Sequence, residues 1–150
     1  MSDNKNRKLV QGALFAALCT VMTLVIQVPS PMEGYVNLGD CAVLMSAWVL
    51  GPVYGGAAAG LGSMLADVLS GYAHYAPGTL VIKGAIAAAA ALIFQALQNR
   101  IPRLPAQAVS GLAAEAIMVS GYFGYSSLLL GKGLAAAASI PGNVIQGIFG

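Results

Sequence analysis

The chain has 150 residues, of which 58% are hydrophobic and only 8% charged, with a mean hydropathy of +0.78. A soluble domain is about a quarter charged, so this composition excludes a disordered tail and argues against water as the main solvent. Two cysteines are too few for a secreted disulfide scaffold, and seven basic against five acidic residues leave too little charge to coat a nucleic acid. The length allows one domain over residues 1–150. Nineteen glycines and an excess of alanine suit transmembrane helices, where small residues let backbones approach closely.

The first apolar run goes from Leu9 to Val28 after a polar start, Asn4-Lys5-Asn6-Arg7-Lys8. Its roughly twenty residues make about 30 Å of helix, one bilayer core thick. A signal peptide has a shorter apolar core and a small-residue cleavage site, whereas Gln27-Val28-Pro29-Ser30-Pro31 stops this helix and opens a loop. The run is therefore expected to be a retained first span.

Five further helical segments follow: Asp40–Leu50, Val53–Ser70, Thr79–Gln98, Ala106–Leu130 and one beginning near Ser139 or Pro141. Gly51-Pro52 separates the second from the third. The second, at about 16 Å, is too short to cross alone unless residues 35–39 add turns, so it reads as a half-span. The sixth reaches about 18 Å before the sequence stops and is expected to be truncated. The predicted fold is thus an all-α integral membrane bundle of six transmembrane helices, the last incomplete. With six segments, the basic cluster Lys5, Arg7, Lys8 and the pair Arg100, Arg103 fall on one side. The positive-inside rule makes that side, and the N-terminus, cytoplasmic in a multi-pass protein of the cell membrane. The opposite loops carry Glu33, His74 and Lys132.

Polar groups in so apolar a chain are the candidates for chemistry. The first outer loop, Pro29 to Asp40, combines rigid prolines, permissive glycines, Tyr35 and Asn37. It is placed to form a lid over a membrane cavity, and Asp40 suits the N-cap of the second helix. Tyr72 and Tyr75 fit an interfacial aromatic belt as well as they fit ligand stacking. His74 lacks metal partners, and no metal site or cofactor is expected. Asp67 and Lys83 each lie about one turn below the outer end of their helices, and buried membrane charges tend to pair. They are expected to form an ion pair, with Lys83 contacting substrate as the alternative. Glu115 lies about 14 Å into the fifth helix, the deepest charge. Met118, Val119, Tyr122 and Tyr125 share its face, and Asn143 and Gln146 at i, i+3 of the sixth helix are placed to reach the same cavity. An intramembrane carboxylate is a functional-site hypothesis by default. Cys19 and Cys41 read as packing residues.

No Gly-x-Ser-x-Gly, His-Glu-x-x-His or phosphate-binding glycine loop is present in the sequence, so it reads as a non-enzyme that hydrolyses no ATP itself. In the first helix Ala13 and Ala17, Gly12 and Ala16, and Ala16 and Thr20 are each four apart. This is a small-xxx-small surface suited to helix docking.

Taken in order, Tyr35-Val36-Asn37-Leu38-Gly39-Asp40, Leu50-Gly51-Pro52-Val53-Tyr54-Gly55, and Tyr75-Ala76-Pro77-Gly78 with Lys83-Gly84 resemble the S components of energy-coupling factor (ECF) vitamin transporters. The likeness is to the riboflavin-type group, which includes members assigned to hydroxymethylpyrimidine or pyridoxine, and it covers almost the whole chain. The resemblance implies a six-helix membrane subunit that binds a vitamin near the outer face, with hydroxymethylpyrimidine or pyridoxine favoured and riboflavin next. It implies binding groups at Tyr35, Asn37, Lys83, Glu115, Tyr122, Asn143 and Gln146, with Tyr125 a further phenol on the same helix. It also implies that Ala13 and Ala17 dock onto a membrane coupling subunit, with two cytoplasmic ATPases completing the importer. Two other readings of the residues stay open: a stand-alone transporter driven by protons through Glu115, and a non-transporting membrane assembly subunit.

Overall fold

The computed structural model describes residues 2–30 and 34–150. The expectation for Glu33 as an outer-loop charge lies outside the described residues. Helix α1 covers Ser2–Val25, and an antiparallel hairpin follows, β1 Gln27–Ser30 and β2 Gly34–Asn37. Its register pairs Gln27 with Asn37 and Ser30 with Gly34. Helices α2 (Gly39–Leu69), α3 (Ala76–Leu97), α4 (Arg103–Gly124) and α5 (Ile140–Phe149) complete the bundle. A π-helical turn, Tyr125–Leu129, prolongs α4, and a 3-10 helix, Gly133–Ser139, leads into α5.

Among the described residues there are thus five α-helices, not six. The second and third expected segments run on as α2, which bends at Gly51, where φ is 80° and ψ −176°. Only glycine takes up that backbone cheaply, and Pro52 removes the next donor. The expected break is real, but it is a kink within one element. The arm over 39–50 is short because the chain enters it from within the bundle. Residues 34–37, in extended form, cover about 13 Å, and Asp40 at the head of α2 is fully buried.

The core lies between α2 and α3, with α1 packed on one side of α2 and α4 on the far side of α3. Ile86, Met118, Val43 and Cys19 are its largest fully buried apolar side chains. Small residues set the closeness of the α1–α2 contact. A Cβ at Gly62 would stand 2.3 Å from the Ala16 carbonyl oxygen, and the Thr20 hydroxyl donates to the Gly62 carbonyl at 2.8 Å. Ala16, Cys19, Thr20 and Thr23 therefore turn toward α2, while Ala13 and Ala17 stay exposed among Val10, Leu14 and Val21. Three helices, α1, α2 and α3, are long and apolar enough to cross a membrane.

Lys5, Arg7, Lys8, Arg100 and Arg103 gather at the end away from the hairpin, whereas Lys83 lies beneath it and Lys132 donates to the Tyr75 phenol. The Lys8 ammonium lies 5.7 Å from the centroid of Tyr54, just beyond the kink. Arg100 lies in the α3–α4 turn and Arg103 opens α4.

Candidate functional site

Two buried polar clusters meet below the hairpin. In the deeper one Lys83 of α3 forms an ion pair with Asp40 of α2, and the two side chains are 4% and 0% exposed. Gln146 of α5 donates to the other Asp40 oxygen at 2.6 Å. The Gln146 carbonyl oxygen in turn accepts from the Asn37 backbone N–H at 3.0 Å and from the Asn37 amide at 3.4 Å. Asn37 Oδ1 accepts the Gly39 N–H at 2.8 Å, which closes the entry into α2 with a side-chain cap two residues upstream.

This arrangement corrects two expectations. Lys83 pairs with Asp40 instead of Asp67, because the hairpin lowers the start of α2 to the depth of Lys83. Asp40 makes no capping hydrogen bond, and the N-cap position belongs to Leu38.

Asp67 belongs to the shallower cluster. Its Oδ1 accepts from the Tyr35 phenol at 2.5 Å and its Oδ2 from the Thr79 hydroxyl at 2.5 Å. The Tyr122 phenol donates to Thr79 at 3.0 Å. Burial, reinforced by the Asp67 charge, pushes the Tyr35 phenol up from the ordinary tyrosine range. Tyr35 also packs on Tyr72, with centroids 4.8 Å apart. At the hairpin's other strand, Gln27 donates to the Ser70 hydroxyl at 2.7 Å.

Between hairpin and helices lies a cavity of about 50 Å³. Its walls are Ser30, Gly34, Tyr35 and Asn37 from the hairpin, Asp67 from α2, Tyr75 and Thr79 at the head of α3, and Tyr122 and Ser126 from α4 and the π turn. Ser139, Asn143 and Gln146 close it from the α5 side. Of the residues singled out in the sequence, Tyr35, Asn37, Tyr122, Asn143 and Gln146 come together here.

The other three stand back from the cavity. Lys83 lies beneath it, its ammonium 5.6 Å from the Tyr122 ring centroid. Glu115 is buried, and among the described residues neither of its carboxyl oxygens has a hydrogen-bond partner; its side chain lies against Gly147 of α5. Tyr125 packs behind Tyr75 with centroids 6.1 Å apart and donates to the His74 carbonyl at 2.8 Å. Asp67, Thr79, Ser126, Ser139 and Ser30 are wall residues that the sequence does not mark as such, and Tyr75, open in the sequence between an aromatic belt and ligand stacking, lies on the wall. Single hydroxyls in apolar helices carry no sequence signal, but the depth of Asp67 did mark it as a group needing a partner.

Comparison with known proteins gives the architecture a context. The family model for ECF-type riboflavin transporter S components matches residues 3–150. A protein of Pyrococcus woesei, described only as an uncharacterized protein in the gap 3′ region, is 35% identical over 132 residues, 87% of this chain and 85% of its own length. The structure of an S component of a bacterial ECF transporter superposes with a TM-score of 0.68 at 21% identity, covering 96% of this chain and 88% of that one. A family match over nearly the whole length, on a fold with apolar membrane-length helices, decides the assignment. The chain belongs to the ECF-type riboflavin transporter S-component family: it is a multi-pass membrane protein that binds substrate for a transporter, and not an enzyme.

Proposed function

We propose that this S component captures a small vitamin or vitamin precursor in the cavity beneath the hairpin, a hydroxymethylpyrimidine or pyridoxine in preference to riboflavin. Cargo delivery then depends on a membrane coupling subunit and two cytoplasmic ATPases. The supporting observation is the set of groups around the cavity. The phenols of Tyr35 and Tyr122 supply ring faces, and the amides of Asn37, Asn143 and Gln146 supply donors and acceptors. A few placed polar groups in an aromatic enclosure suit a small ring better than a large flavin.

The cavity's 50 Å³ is far below the roughly 300–1,000 Å³ of ligand pockets, so entry requires the hairpin to move. It is held to the helices through side-chain bonds, chiefly Tyr35 to Asp67, Gln27 to Ser70 and Asn37 to Gln146. Exchanging these for ligand contacts is the natural opening step. In this reading Lys83 acts from below through Asp40 and Gln146, Glu115 forms the floor, and Tyr125 backs the wall.

The same proposal makes residues 1–150 one transmembrane domain with the basic end cytoplasmic, by the positive-inside rule. The exposed Ala13 and Ala17 give the coupling subunit a close-approach face. Native mass spectrometry of ligand carried through purification, followed by calorimetry with hydroxymethylpyrimidine, pyridoxine and riboflavin, tests the cargo. Binding of none of them overturns it, and failure to co-purify a coupling subunit and ATPases overturns the partnership.

One observation favours a second reading. Glu115, buried and without a hydrogen-bond partner among the described residues, is the kind of group that carries protons in secondary transporters. Proton-driven accumulation by the isolated chain in vesicles would support it. The proposal here expects ligand binding without accumulation. A chain that assembles with membrane partners yet binds no cargo would instead be a scaffold subunit.

A further inference from the structure

Asp67 is 6% exposed and lines the cavity. Among the described residues its carboxylate makes no ion pair, because the buried ammonium, Lys83, is committed to Asp40. What it has instead are two hydroxyl donors, Tyr35 and Thr79, one on each oxygen. Tyr122 donates to Thr79 in turn. Every proton in this chain of hydroxyls points toward Asp67, so the oxygens of Tyr35, Tyr122 and Asp67 retain lone pairs but have no further hydrogen to give. On the opposite wall the Gln146 amide nitrogen is spent on Asp40. Around Asp67 the cavity therefore offers acceptors and a buried negative charge, while the Asn143 amide leaves a donor on the α5 side. A buried carboxylate is costly without an opposite charge or strong donors, and charge-assisted donors are those it holds best.

Resting on the vitamin-capture reading above, we infer that Asp67 is the specificity-determining residue of the site and that it selects ligands bearing an exocyclic amino group. The ligand's N–H takes Asp67 Oδ1 from the Tyr35 phenol, which is then free to leave with the hairpin. A ring substituted only with acceptors meets lone pairs facing lone pairs and is rejected.

The test uses the purified full-length chain in nanodiscs, titrated calorimetrically with 4-amino-5-hydroxymethyl-2-methylpyrimidine and with its analogue carrying hydrogen in place of the 4-amino group. The amino compound is expected to bind at least about tenfold more tightly, and Asp67→Asn to reduce that preference to within about twofold. Tyr35→Phe, which frees Oδ1 without touching the charge, is expected to keep the preference. Equal affinity of wild type for the two probes overturns the inference with no variant needed, so a poorly folding Asp67→Asn does not shelter it. Full discrimination retained by Asp67→Asn overturns it as well. Tight binding of pyridoxine or riboflavin with no binding of the aminopyrimidine sinks this inference but spares the vitamin-capture reading. Binding of none of these compounds sinks both.

Discussion

Gln146 donates a 2.6 Å hydrogen bond to Asp40, a residue 106 positions earlier in the chain. Its other end accepts the backbone N–H of Asn37. One amide thereby ties the last helix, the hairpin and the buried ion pair into a single unit. Replacing it by leucine keeps the volume but leaves the Asn37 N–H buried and unsatisfied, a cost of about 1–3 kcal/mol. Gln146→Leu should lower the thermal midpoint and speed hydrogen exchange at the Asn37 amide, with little change in α1. Unaltered exchange at Asn37 would show that the hairpin does not depend on this bond.

The Lys83–Asp40 pair makes a sharper prediction. Removing one partner of a buried pair typically costs about 3–5 kcal/mol, whereas removing both is often milder. Lys83→Met with Asp40→Asn should therefore be more stable than Lys83→Met alone. Strict additivity in thermal unfolding would argue that the two residues act independently.

Affinity should track the cavity wall. Tyr122→Ala removes a ring face together with the donor to Thr79, and Asn143→Ala removes an amide at the cavity. Each is expected to weaken vitamin binding tenfold or more, about 1.4 kcal/mol, without impairing assembly with the coupling subunit. Calorimetry checks the first part and co-purification the second.

Tyr35 sits on the hairpin with its phenol pushed above the ordinary tyrosine range by burial and by Asp67. The folded state therefore holds the phenolic proton more tightly than the unfolded state. The resulting stability is fully present below about pH 10, where ordinary tyrosines ionise, and is lost as the pH rises beyond it. Tyr35→Phe should flatten the alkaline end of the stability profile relative to wild type. An unchanged alkaline slope would mean that other groups govern it.

Bulk on the exposed face of α1 should separate binding from assembly. Ala13→Trp with Ala17→Trp fills a surface that no other part of the described chain covers. Ligand affinity is expected to persist while recovery of the coupling subunit falls. Full recovery would put the docking face elsewhere.

Much of this architecture is legible in the residues, for identifiable reasons. Long apolar runs, Gly51-Pro52 and the two basic clusters mark helices, break and polarity, since each reflects local backbone chemistry or solvent preference. Tyr35, Asn37, Tyr122, Asn143 and Gln146 are legible as neighbours because they are polar groups at helical or loop positions facing one end. The partner of Lys83 is not. Depth along a helix identifies Asp67 as a candidate, but only the descent of β2 into the bundle reveals that Asp40 lies at that depth too. The hairpin itself is obscured because Val28-Pro29-Ser30 lacks a strand's alternation, and its pairing depends on a cover of helices remote in sequence.

The π turn at Tyr125–Leu129 has a consequence for how this wall can vary. A π turn accommodates an extra residue within an α-helix, and Ser126 within it is buried at the cavity, hydrogen-bonding distance from Tyr75 at 3.2 Å. Deleting one residue there, Ser127 for example, would let the turn relax to α geometry and re-aim the side chains within it, while the residues beyond keep their direction. Ser126 would swing off the wall although no cavity residue had been substituted. Helix length at this point, as much as side-chain identity, thus determines which hydroxyls the cavity presents.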